Sequence, residues 1–252
     1  MKKIITTLTL FISLNISAMA EEISTYLIGS SFSMQQTKAK LKASGFDILA
    51  TNNNVITITN EKLQATNTYL ATLQVYVNDL NIKVQNPEYF AAAYLGEKYK
   101  KGQFETTVQA LNTALGTLKG SREKLDEKEL PEYHFMMGMP YFDDSITVGE
   151  GTKIYEKIAK NEDVLYSLTL PNGTILVGHK LKPTTTNFLK TLKQRKNSQI
   201  LPYEAIVFSD EVQIMNPKFY VALSLPQLSM GEFMKISDIP SRIEEDITNA
   251  YK

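Results

Sequence analysis

The chain has 252 residues, its 27 lysines and arginines are balanced by 27 acids, and it contains no cysteine. That balance leaves no basic excess to neutralise a phosphate backbone, which argues against a nucleic-acid partner. The missing thiols exclude disulfides, thiolate zinc sites, cysteine nucleophiles and lipoprotein acylation.

The first segment, MKKIITTLTLFISLNISAMA, opens on Lys2 and Lys3 and continues through a mostly apolar run to about Ser17. Ala18-Met19-Ala20 then fits the small-x-small cleavage rule. Residues 1–20 are expected to be a secretory signal peptide, with Glu21 as the mature start. An uncleaved anchor fits less well, because a spanning helix needs ~20 apolar residues and this run is shorter and broken by Thr, Ser and Asn. No later segment reaches that length. Cleavage leaves 25 basic against 27 acidic residues, a net charge of −2. The expected address is the periplasm or the medium, and an exported chain without disulfides must rely on its apolar cores.

Residues 22–30 read as a strand. Ser33 and Gln36 form a capping box that opens a helix to about Ala43, which Gly45 closes. Residues 46–51 and 55–59 pair across an Asn-rich turn, and 70–77 and 81–85 pair across Asn78-Asp79. Asn86 caps a short helix with Pro87 at its first position and Glu88 in its first turn. Phe104, Val108, Leu111, Leu115 and Leu118 make one apolar stripe on a further helix. The charge run 121–130 reads as a solvated helix or linker ending at Pro131. Residues 133–142 are expected to be a strand, 152–160 a helix, and 164–170 with 174–178 a hairpin around Pro171-Asn172-Gly173. A helix over 184–193, strands over 203–208 and 211–215, and a last helix carrying Ile243, Ile247 and Tyr251 on one side complete the chain.

Stretches of this order repeat. QVYVNDLNIKVQNPEYFAAAYL (74–95) lies without a gap against EAIVFSDEVQIMNPKFYVALSL (204–225), so that Asn86-Pro87 meets Asn216-Pro217. Residues 55–70 lie against 174–189, and YLIGSSF (26–32) against FMMGMPY (135–141), with Gly29 opposite Gly138. Between these blocks the second copy carries eleven extra residues within 190–203. Several matches in one order indicate a tandem duplication. The expected fold class is α/β (α+β): two tandem copies of a small β-α-β-β-α-β-β domain packed as a pseudo-dimer. Their expected spans are 21–120 and 132–252, joined by a linker at 121–131.

The second copy resembles the domain-of-unknown-function family 302. Ile175-Leu176 with Gly178, Leu201-Pro202 before an apolar strand, and Asn216-Pro217 after the next strand carry the resemblance, as does LKASGFDIL (41–49) in the first copy. Tyr203 stands where that family usually has Cys, and Asn216 where it usually has Asp. The resemblance implies compact α/β units that tend to pair. It brings no catalytic residue with it.

Chemistry has few candidates. A Ser–His–Asp site requires histidine, and only His134 and His179 exist; no nucleophile elbow, phosphate loop or dinucleotide fingerprint is present. Asp143-Asp144 and Glu244-Glu245-Asp246 sit in polar runs that read as solvated. An enzyme is therefore less expected than a binding or interaction module with an unknown small molecule or a periplasmic protein as partner. HFMMGMPYF (134–142) holds three of the nine methionines and one of the two histidines. Thioether and imidazole ligands suit copper, so His134, Met136, Met139 and His179 form a candidate copper site. Core filling by methionine at positions matching Leu27, Ile28 and Ser30 is the stronger reading, and a Met-lined apolar pocket is a third. Tyr89, Phe90, Tyr94, Phe219 and Tyr220 are candidates to line a ligand cleft between the copies, or else to seal each core.

Overall fold

The computed structural model describes residues 21–252; the expected signal peptide lies outside them. The first half runs β1 (Glu22–Ser24), β2 (Tyr26–Ser30), α1 (Met34–Ala43), β3 (Asp47–Asn52), β4 (Val55–Thr59), α2 (Glu61–Gln64), β5 (Leu73–Val77), β6 (Asn81–Gln85), α3 (Pro87–Leu95) and α4 (Glu105–Leu115). Strands β7 (Lys119–Gly120) and β8 (Lys124–Asp126) follow. The second half runs β9 (Ile146–Glu150), α5 (Ile154–Lys160), β10 (Val164–Thr169), β11 (Ile175–His179), α6 (Pro183–Thr186), α7 (Phe188–Thr191), β12 (Tyr203–Phe208), β13 (Glu211–Ile214), α8 (Pro217–Ser224), α9 (Met230–Met234) and α10 (Ile239–Ala250). The class is mixed α/β, as expected. Among the described residues no helix is long and apolar enough to cross a membrane.

The larger sheet has the order β3-β4-β5-β6-β2-β7, and the second β10-β11-β12-β13-β9. Apart from the short β7, the two orders correspond strand for strand, and every pairing is antiparallel. Local signals account for the shared elements. Ser33 accepts from the Gln36 amide and Gln36 returns the bond, as the capping box requires. Asn86 and Asn216 each cap a helix whose first residue is proline, accepting from the amides of Glu88 and Lys218.

Three expectations are corrected. The second half does not begin with a strand at 133–142. That segment is a run of turns and bends, with Gly138 at φ +82° and the Met139 amide bonded to the Met136 carbonyl. Pro140 and the left-handed Gly138 prevent a continuous extended ladder, whereas β-branched Ile146, Thr147 and Val148 extend readily. The true counterpart of Gly29 is therefore Gly149: Gly29 is paired with Ile82, and Gly149 with Val212. Both glycines receive a side chain from the element that closes their half. A Cβ on Gly29 would lie 2.6 Å from Leu118, and one on Gly149 would lie 2.9 Å from Tyr251.

The second correction concerns register. Thr57 pairs with Gln74 and Gly178 with Glu204, so β4 and β11 correspond two residues away from the alignment of 55–70 with 174–189. Third, the charge run is not a detached linker, and only Glu127–Glu129 within it is helical, as one 3-10 turn. Residues Lys124–Asp126 pair with β1, Leu130 is buried, and the buried Ser121 hydroxyl accepts from the Tyr26 amide. The alternation of charge with Leu125 and Leu130 lets the segment lie along an edge with two apolar side chains turned inward. Smaller departures occur where a single residue ends an element: Thr25 separates β1 from β2, and Asn187 divides the helix expected over 184–193 into α6 and α7.

The halves share one apolar core, and their contacts are reciprocal. The single turn Tyr69–Ala71 before β5 packs on β12, and the 3-10 segment Arg195–Ile200 before β12 packs on β5. Edge strands β3 and β10, which correspond in the two sheets, also approach each other.

Candidate functional site

On β5, Leu73, Val75 and Val77 point into the first half's core, while Thr72, Gln74 and Tyr76 share the opposite face. That face is turned towards the second half. At one end it is closed. Thr72 Oγ1 and Tyr166 Oη both donate to Glu204 Oε1, and Gln74 Nε2 lies 3.5 Å from the same oxygen. Tyr166, Gly178 and Glu204 are paired in succession across β10, β11 and β12. Because Gly178 has no side chain, the Tyr166 ring lies across it and reaches Glu204; a Cβ there would sit 2.2 Å from the ring. Burial pushes the Glu204 carboxyl up to about 7, against the lowering effect of its Thr72 and Tyr166 bonds.

Of the expected ligand-lining aromatics, Phe90, Tyr94 and Tyr220 border this junction and leave it shut. Tyr89, Phe90, Tyr94, Phe219 and Tyr220 are all buried. Tyr89 donates to the Leu223 carbonyl at 2.8 Å and Tyr220 to the Ile200 carbonyl at 3.0 Å. Phe90 packs edge-on to Tyr89, and Tyr94 stacks on Phe142 at 5.2 Å. The space left beside Phe90, Tyr94, Tyr220 and Glu204 is about 10 Å³, at the lower limit for one water, ~10–15 Å³. These rings close the junction, and the Tyr89 and Tyr220 hydroxyls are satisfied by carbonyls, the usual condition for burying tyrosine.

The candidate copper ligands have separate surroundings. His134 lies in the turn-rich loop against Tyr141, with ring centroids 4.7 Å apart. His179 is buried in β11, its Nε2 2.8 Å from the Tyr251 hydroxyl, and burial pulls its imidazole down to about 4, so it is neutral at physiological pH. Met139 packs partly against the core, in the same loop as the Phe135 ring that stacks on Phe233, and Met136 contributes its carbonyl to the turn. Among the described residues no three His, Cys, Asp or Glu side chains are grouped to hold a metal.

At its other end the Thr72–Gln74–Tyr76 face opens into a groove. A cavity of about 570 Å³ lies between the Asn52–Asn54 turn of the first half and the 180–202 region of the second. Lys180, Lys190 and Arg195 border it, and no acid does. A second cavity, of about 770 Å³, lies between the β5–β6 turn and Arg122 on one side and Arg195, Lys196 and Gln227 on the other. The two share Tyr76 and Arg195. Among the described residues Lys180, Lys190, Arg195, Lys196 and Arg122 pair with no carboxylate within ion-pair distance.

One buried lysine holds the groove's wall in place. Lys83 Nζ, from β6, donates to Asn197 Oδ1 at 2.6 Å and lies 3.6 Å from the Glu123 carboxylate. Burial pulls its amine down, while Glu123 opposes that. The bond fixes the 3-10 segment Arg195–Ile200 on the first half's sheet, and so positions Arg195 and Lys196. This segment falls within the stretch where the second copy is longer, by nine residues once the register is corrected: Thr57 and Gln74 are 17 residues apart, Gly178 and Glu204 are 26. Its sequence shows an insertion but not a binding wall. Insertions on a rigid scaffold are common carriers of function. The chain matches no family model, no curated protein and no solved structure.

Proposed function

We propose that this protein is an exported binding module whose ligand site is the groove between its halves, and that the ligand is anionic. One observation carries the reading: a cavity of about 570 Å³ bordered by three cations without ion-pair partners and by no acid, in a chain of balanced charge. The volume falls in the ~300–1,000 Å³ range of small-molecule sites, and low-dielectric walls focus the field of cations that share a cleft. In this reading the two halves descend from a duplicated domain resembling family 302, packed as a pseudo-dimer, and the insertion in the second copy adds the cationic wall that a symmetric pair lacks. Binding rather than catalysis is favoured because the strongly perturbed carboxyl, Glu204, is enclosed at the closed end of the junction and away from the groove lining.

Titrating citrate into the mature protein at low ionic strength should shift the backbone amide resonances of residues 52–54 and 180–198. Lys180→Gln with Lys190→Gln, both exposed positions, should weaken that binding at least tenfold without altering the fold. Absence of shifts, or shifts unaffected by the double substitution, would remove the reading. The address is tested separately: fractionation of expressing cells should place the protein outside the cytoplasm, with Glu21 at its N-terminus by sequencing. A cytoplasmic chain retaining residues 1–20 would overturn it.

A further inference from the structure

The two cavities adjoin at Tyr76 and Arg195, which line both, and with the groove taken as the binding site proposed above, the chemistry of the two linings narrows the ligand class. We infer that the groove takes a linear acidic oligosaccharide, one carrying carboxylates on several of its sugars, laid across Tyr76 with anionic groups on both sides.

Length favours an oligomer. Cavities of about 570 and 770 Å³ share Tyr76 and Arg195 in their linings, and together they exceed what one sugar or one small anion fills. A compact ligand would leave one cavity empty, whereas a chain of several sugars occupies both.

The distribution of charge favours repeated acids. Lys180 and Lys190 serve only the first cavity, Arg122, Lys196 and the buried Lys83 only the second, and Arg195 stands where they join. The second cavity also holds Asp79 and Glu123, but Glu123 faces Lys83. Cations at both ends of an elongated groove suit a ligand with repeated acidic groups better than one with a single charged end.

The neutral lining suits sugars. Asn52, Asn53, Asn54 and Asn187 border the first cavity, and Asn78, Asn81 and Gln227 the second. Carboxamides carry donors and acceptors together, as sugar hydroxyls do. Tyr76 is half-buried between the cavities and is the one aromatic side chain on either lining. A single flat ring offers a face to one sugar. Single-stranded nucleic acid is held by successive stacking platforms, which this groove lacks.

Calorimetry with oligogalacturonates of one to six residues tests the inference at low ionic strength. Affinity should rise at least a hundredfold from the monomer to the length that spans both cavities, and then level off. Neutral galactose oligomers of the same length should not bind. Tyr76→Ala should weaken the hexamer at least tenfold. Because Tyr76 is partly buried, Arg122→Gln with Lys196→Gln, both exposed and confined to the second cavity, provides an independent variant with the same expected loss. A hexamer no tighter than the monomer, or unaffected by the second-cavity variants, overturns the inference while anion binding in the first cavity stands. Failure of citrate and every galacturonate to bind removes both readings. Equal affinity for a single-stranded oligonucleotide overturns the saccharide class.

Discussion

Glu204→Gln should make the protein more stable at pH 8 and leave its stability near pH 4.5 almost unchanged. The folded carboxyl has its pKa near 7 instead of the ordinary 4.5. Between those values the folded chain holds a proton that the unfolded chain has released. Stability from this group is therefore fully present below pH 4.5, falls as pH rises, and is lost above about 7. At ~1.4 kcal/mol per pKa unit, the loss is on the order of 3 kcal/mol at most. Glutamine keeps the acceptor oxygen for Thr72 and Tyr166 and cannot ionise. Chemical denaturation of both proteins from pH 4 to 8.5 checks this: the stability difference should grow across pH 4.5–7 and then plateau. A difference that does not change with pH would show that Glu204 is not the titrating group.

Gly178→Ala should be the most damaging small substitution in the second half, costing about 3 kcal/mol by overpacking. Its Cβ would lie 2.2 Å from the Tyr166 ring. That ring has little freedom to move away, because it is buried and its hydroxyl bonds Glu204. The loss should be conditional on the ring. In a Tyr166→Ala background the same glycine substitution should cost under ~1 kcal/mol, which a double-mutant cycle measures directly. Equal costs in both backgrounds would place the strain elsewhere.

These two positions also mark the limit of what local sequence encodes. Most strands and caps are legible because each rests on local chemistry: the Ser33–Gln36 box, the Asn-Pro helix starts and the Asn172-Gly173 hairpin turn all form as the residues dictate. The start of the second half is ambiguous in sequence because Gly138 and Gly149 both lie within reach of a match to Gly29, and only strand pairing decides between them. Alternation itself hides the junction. LQVYV reads as a strand with one wet face, yet that face meets the other half, and Gln74 is buried. Phe90, Tyr94 and Tyr220 do gather at the junction, but nothing local reveals that the Tyr89 and Tyr220 hydroxyls find carbonyls or that the rings leave only about 10 Å³ beside Glu204. The groove is silent in sequence because its cations are separated by up to 113 residues in the chain, from Lys83 to Lys196, and single exposed lysines are ordinary.

The meeting of Gln74 with Glu204 has one more consequence. The two occupy matching positions in QVYVNDLNIKVQNP and EAIVFSDEVQIMNP, and they face each other across the seam. Two identical subunits related by a dyad must present the same residue twice at such a point, either two acids that repel or two amides. A single chain escapes that rule. One side can carry an ionisable group and the other a permanent dipole, so each half becomes free to specialise, and a proton can be gained or lost at the seam without forcing a matching event on its opposite.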